Sequence, residues 1–165
     1  MTTNFTAYEV FEMALQVERN GQHFYRQAAE QSEDAHLKEL LLKLAQMEAD
    51  HERTFAQMQG QLSGQAAPGI PFDPNDDVGL YLRAAADTQI FNVYRMEPRD
   101  VAEMEDAREV LQTAIQLEKD SVVFYLGIRD AVPENLGKSG VERIIHEEMS
   151  HIRLLSEELK GLTAG

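Results

Sequence analysis

Apolar residues recur along this chain every three or four positions in four separate stretches, and that period predicts four helices. The spacing predicts helices over about 6–31, 34–60, 106–132 and 135–160. Thr6 with Glu9 three residues on makes a capping box for the first, and Asp106 with Glu109 repeats it for the third. Gly60 and Gly161 are the expected stops of the second and fourth. The turns between the first and second stretches, and between the third and fourth, are short, so each pair should fold back as an antiparallel hairpin. Residues 61–105 are different. They hold Pro68, Pro71, Pro74 and Pro98, four of the five prolines, and suit a crossover along a bundle with a short helix near 76–87. No strand pattern rises above this. The expected fold is all-α, a four-helix bundle of two hairpins in one domain spanning 1–165.

The pattern breaks where it should be most apolar. Leu37, Leu41, Leu44, position 48, position 51 and Phe55 fall on one stripe of the second helix, and positions 48 and 51 are Glu48 and His51. The same break recurs one hundred residues later. The segment LLKLAQMEADHERTF at 41–55 lies over VERIIHEEMSHIRLL at 141–155, which aligns Glu48 with Glu148 and His51 with His151. The first and third helices obey the same offset: EVFEMALQVERNGQHFY at 9–25 lies over EVLQTAIQLEKDSVVFY at 109–125. Internal duplication accounts for one offset shared by two segments. The inward stripes of those helices are Phe11, Ala14, Glu18, Gly21, Tyr25 and Leu111, Ala114, Glu118, Ser121, Tyr125, so each contributes one Glu.

Four carboxylates and two imidazoles are thus directed to one level of the core. Four clustered carboxylates repel, and two divalent cations would bring their formal charge to zero. Carboxylate-rich sites with one imidazole per ion suit iron or manganese. The alternative is a polar core held by hydrogen bonds alone. His23, His36 and His146 fall off the stripes and belong to the surface. Glu52 and Glu147, beside ligand positions in sequence but about 100° round the helix, face solvent or support the ligands from outside.

Composition narrows the classes. Lys and Arg total 15 against 29 Asp and Glu, a formal net charge of −14, which disfavours nucleic acid and anionic membranes as partners. There is no cysteine, which excludes disulfides, thiolate zinc sites, iron–sulfur clusters and a rubredoxin-type iron centre within the chain. No signal sequence and no membrane-length apolar run occurs, so a soluble cytoplasmic protein is expected.

A Glu from each of two helices and Glu-x-x-His from each of the other two is the ligand pattern of ferritin-like di-iron carboxylate proteins. The chain resembles the rubrerythrin branch of that superfamily over all four helices, though not over the crossover. The resemblance implies that Glu48 and Glu148 bridge two irons, that Glu18 and Glu118 are terminal ligands, and that His51 and His151 give one nitrogen each. It implies a homodimer, with peroxide or dioxygen as the oxidant. Tyr25 and Tyr125 stand seven residues after the terminal Glu, where family members carry a tyrosine near the metals; they are candidate catalytic residues, or ordinary core packing. Two departures qualify the likeness. Ser121 stands where rubrerythrin has a further Glu ligand, and without cysteine there is no rubredoxin domain, so electrons must come from a separate donor. The six-ligand set also resembles bacterioferritin, but Ala49 stands where that family has its haem-binding Met, so no haem is expected. No fifth helix is expected after Leu159, which makes a storage cage the second choice. Three functions stay open: a di-iron oxidoreductase, a ferroxidase or iron-handling protein, and a non-catalytic metal-binding module.

Overall fold

The structure, a computed structural model, describes residues 7–63, 80, 101–130, 132 and 134–163. Thr6, Pro133 and most of the 61–105 segment, with its four prolines and suggested short helix, lie outside the described residues. Four long helices run in chain order: α1 Ala7–Gln31, α2 Ala35–Ser63, α3 Ala107–Arg129 and α4 Lys138–Thr163. A 3-10 turn over Glu134–Leu136 leads into α4. No strand occurs among the described residues, and none of their helices is long and apolar enough to cross a membrane. The fold is the expected all-α four-helix bundle, with α1 packed on α2 and α3 on α4.

The expected starts hold better than the expected stops. Asp106 caps α3 as its pattern indicates, its Oδ1 accepting from Glu109 N, while the Glu109 carboxylate accepts from Glu105 N. Asp34 caps α2 in the same way, accepting from Leu37 N at 2.8 Å. Neither Gly60 nor Gly161 ends its helix. Glycine inside a helix costs only about 1 kcal/mol against alanine, and α2 and α4 run on to Ser63 and Thr163. The third helix ends at Arg129 rather than near 132, although Val132 N still donates to Ile128 O at 3.0 Å. The fourth begins at Lys138 rather than 135, because Gly137 adopts φ +103°, a left-handed conformation that interrupts the helix before it starts.

The core is split by a polar layer. One apolar cluster holds Val10–Val17 positions of α1, Phe55 and Met58 of α2, Phe124, Tyr125 and Ile128 of α3, and Val141–Ile145 positions of α4. The other holds Phe24–Ala29 positions of α1, Leu37–Ala45 positions of α2, Leu111 and Ala114 of α3, and Leu155 of α4. Between them, at the middle of every helix, lie Glu18, Glu48 with His51, Glu118, and Glu148 with His151, all buried. The order of the clusters along each helix makes α2 and α3 parallel. The chain thus leaves one end of the bundle after Ser63 and stands at the opposite end at Val101.

A candidate two-metal centre

Each imidazole turns Nδ1 inward. His51 Nδ1 lies 3.3 Å from Glu148 Oε1, 3.5 Å from Glu18 Oε2 and 3.7 Å from Glu48 Oε2. His151 Nδ1 lies 2.9 Å from Glu148 Oε2, 3.2 Å from Glu48 Oε1 and 3.3 Å from Glu118 Oε1. The two rings lie nearly parallel, 15° apart, with centroids separated by 5.6 Å. Glu48 and Glu148 therefore each give one oxygen to the His51 side and the other to the His151 side. Glu18 and Glu118 serve one side each. The internal repeat has become a near-symmetric pair of half-sites with two carboxylates in common.

The local reason is the helical stripe. Leu41, Leu44 and Phe55 on α2, and Ile144 and Leu155 on α4, are fully buried and fix the rotation of their helices, so the intervening Glu and His must point inward. On α1, Gly21 makes room for Glu48. A Cβ at that position would stand 3.3 Å from Glu48 Cγ and 3.4 Å from its Oε2. Its repeat mate Ser121 is buried, and its hydroxyl donates to Leu117 O within its own helix.

Burying four acids without ion pairs or metals would cost several kcal/mol each. With protons alone to balance it, the cluster divides them unequally. Burial, and then the charges of Glu48 and Glu148, raise Glu18 well above the usual carboxylate range; burial with Glu148 and Glu48 does the same to Glu118. Burial opposes charge on Glu48 too, but contact with His151 and His51 outweighs it and holds this carboxyl below the usual range. Burial by itself would lower both imidazoles. Contact with Glu148, Glu18 and Glu48 overrides that and drives His51 far upward, while Glu118, Glu148 and Glu48 push His151 up to about 12.

Proton sharing does not satisfy the geometry. Glu18 Oε2, Glu48 Oε1, both Glu148 carboxylate oxygens and both Nδ1 atoms are buried with no hydrogen-bond partner among the described residues. They face one another at ion-pair distance without aligning donor to acceptor. Glu18, Glu48, His51 and Glu148 offer ligand atoms all within 4.8 Å of one another, and Glu48, Glu118, Glu148 and His151 do the same. Inward lone pairs of hard oxygens with one imidazole per set fit two iron-class divalent ions sharing Glu48 and Glu148.

All six residues singled out by spacing meet here, and the tyrosines meet them. Tyr25 donates to Glu118 Oε1 and Tyr125 to Glu18 Oε1, each reaching across to the other hairpin. His23, His36 and His146 are exposed, as their positions indicate. Of the two acids expected either to face solvent or to support the ligands from outside, Glu147 reaches a ligand and Glu52 binds other side chains instead. Glu147 Oε2 lies 2.7 Å from His51 Nε2, and Glu52 accepts from Arg19 Nε at 2.7 Å and from the buried Gln22 at 2.6 Å. Spacing places a residue on its own helix but does not say what the neighbouring helix brings opposite it.

The family model for the ferritin-like domain matches residues 6–135. No curated protein matches the chain. A crystal structure of a Thermotoga maritima protein, assigned by name to the ferritin-like diiron-carboxylate proteins, superposes with a TM-score of 0.66. The two sequences are 22% identical, and the alignment covers 95% of this chain and 96% of that one, which establishes a shared fold. With most of its length matched by the family model and a bundle of that architecture, the chain belongs to the ferritin-like domain family.

Proposed function

We propose that this chain is a non-haem di-iron oxidoreductase of rubrerythrin type, reducing hydrogen peroxide or dioxygen with electrons from a separate donor and working as a homodimer. The observation that carries the reading is the division of oxygens: Glu48 and Glu148 each present one oxygen to either imidazole, while Glu18 and Glu118 serve one side each. Glu18, His51, Glu118 and His151 would hold the outer positions of two iron ions, and Glu48 and Glu148 would lie between them. Manganese satisfies the same donor set. When bound, two ferrous ions would supply one electron each, the two electrons that peroxide needs, with two protons, to become two waters.

The chain's own groups set the conditions. The apolar clusters on either side close the layer to bulk water, which strengthens every charge interaction inside it. Tyr25 and Tyr125 hold a proton against an oxygen of Glu118 and of Glu18, keeping those carboxylates in place. Burial and the neighbouring charges of Glu118 and Glu48 raise the Tyr25 phenol well above its ordinary value, so it stays a donor at neutral pH.

One feature favours a second reading, a ferroxidase that hands on ferric iron. Ser121 donates to its own helix, so no seventh carboxylate comes from that position and the ligand set is the six-residue one. The test loads the protein anaerobically with two ferrous ions per chain, mixes it with hydrogen peroxide or dioxygen, and then adds excess ferrous iron. The oxidoreductase reading expects faster oxidation by peroxide, a halt at two irons per chain until a reductant is added, and a dimer throughout. Continued uptake of tens of irons per chain into a large particle would replace it with iron storage.

A further inference from the structure

The half-sites repeat in their ligands but not in what stands behind the imidazoles. Behind His51, Glu147 Oε2 lies 2.7 Å from Nε2. That nitrogen carries the hydrogen the carboxylate accepts, which fixes the ring and aims the Nδ1 lone pair at the cluster. The Glu147 side chain is 40% exposed, and Arg143 Nε, one turn earlier on α4, stands 3.8 Å from its other oxygen. His151 also presents Nδ1 to the carboxylates, yet its Nε2 is buried with no hydrogen-bond partner among the described residues. Under the offset of one hundred, Glu147, which faces His51, has Met47 as its repeat mate, the residue that the internal symmetry assigns to the His151 side. A thioether is a weak acceptor and carries no charge, so it cannot do for His151 what Glu147 does for His51.

We propose that Glu147 is a positioning residue that makes the two metal positions unequal, so that the Glu18–His51 position fills first and more tightly and the Glu118–His151 position second. The inference rests on the two-metal reading above. A carboxylate accepting from the outer N–H of a ligating imidazole makes its inner nitrogen a better donor, and losing such a partner typically lowers metal affinity by about 10- to 100-fold. Among the described residues, His51 has that partner and His151 does not. The ion at the His151 side is then the one lost first on dilution or chelation, and the half-loaded protein keeps its ion beside His51.

Anaerobic titration calorimetry of the full chain with ferrous iron tests this without reference to turnover. The wild type should show two steps of one ion per chain. Repulsion between ions sharing Glu48 and Glu148 could also split the steps, so the variants decide the cause. Glu147→Leu should weaken the tighter step about 10- to 100-fold and leave the other in place. Glu147→Gln, which keeps an acceptor without the charge, should lose less. Met47→Glu should tighten the weaker step by a similar factor. Glu147 is partly exposed, so its truncation should leave the helical circular dichroism unchanged. Two equal steps in the wild type would overturn the proposal, as would two unchanged steps in Glu147→Leu, both steps weakened alike there, or no tightening in Met47→Glu. A wild type binding fewer than two ions would instead overturn the two-metal reading itself.

Discussion

The hydroxyl of Tyr25, on α1, donates to Oε1 of Glu118, on α3, 93 residues further along the chain. Tyr125 returns the bond to Glu18, so each hairpin holds a buried carboxylate of the other. Both phenols and both carboxylates are buried, and removing a hydroxyl takes a hydrogen-bond donor from a buried carboxyl oxygen. Tyr25→Phe and Tyr125→Phe should each destabilise the protein by about 1–3 kcal/mol. For a chain of this size that corresponds to roughly 2–4 °C of melting temperature per kcal/mol. Thermal melts of the two variants check it. An unchanged melting temperature in both would show that the ties are dispensable packing.

These ties mark the limit of what the chain's pattern discloses. The stripe on each helix and the offset of one hundred are one-dimensional features, and they led to the six inward residues because burial of Leu41, Leu44, Phe55 and their mates dictates helix rotation. Tyr25 is on the same face as Glu18, which suggests a partnership with that residue, but its hydroxyl instead reaches Glu118. Spacing leaves Glu147 between solvent and a supporting role for the same reason: its angle round α4 is plain from spacing, whereas His51 opposite it is brought by α2. Glycine by itself does not mark a helix end in this chain. Gly60 and Gly161 are tolerated inside α2 and α4, while Gly137, with φ +103°, does interrupt the chain.

Metal removal should make stability depend on pH in a defined direction. In the metal-free protein Glu18 and Glu118 are raised, so the folded state holds protons that the unfolded state gives up above about pH 4.5. His51 and His151 are raised as well, His151 to about 12, so the folded state also keeps protons lost from unfolded imidazoles above about pH 6.5. Where the folded state binds more protons, stability falls as pH rises, by up to about 1.4 kcal/mol per pH unit for each such group. Glu48 acts oppositely, since its lowered value favours folding above the usual carboxylate range and is lost only in stronger acid. Metal-free protein should therefore melt higher at pH 5.5 than at pH 7.5. The iron-loaded protein should show the reverse trend, because its ligands must be deprotonated to bind. Melting curves of chelator-treated and reloaded protein at both pH values check this, and parallel trends would remove the proton-for-metal exchange from the account.

Gly21 gives a steric test of the same site. A Cβ there meets Glu48 at 3.3–3.5 Å, so Gly21→Ala sets a helix-propensity gain of about 1 kcal/mol against mild crowding. Its melting temperature should stay close to that of the wild type. Gly21→Leu has no such room and must push the Glu48 carboxylate off the shared position. Its bound iron, counted after anaerobic loading and desalting, should fall well below that of Gly21→Ala while the helical signal persists. Equal iron in the two variants would show that Glu48 is not held where α1 leaves space for it.

The shared carboxylates themselves carry the last prediction. Glu48 and Glu148 each touch both imidazoles, whereas Glu18 and Glu118 touch one. Removing an outer ligand should therefore affect one metal position, and removing a shared one should affect both. Glu118→Ala should keep close to one iron per chain, held by Glu18, His51, Glu48 and Glu148. The pair Glu48→Ala with Glu148→Ala should lose most of both ions, because each remaining position is left with one carboxylate and one imidazole. That double variant need not unfold. In the metal-free state at neutral pH it gives up the contacts of Glu48 and Glu148 with the two charged imidazoles, so it should melt lower than metal-free wild type, and its helical signal shows that it stays folded. Metal analysis of the desalted proteins beside their melting curves separates these effects. Retention of two irons by the double variant would rule out the shared positions and, with them, the two-metal centre.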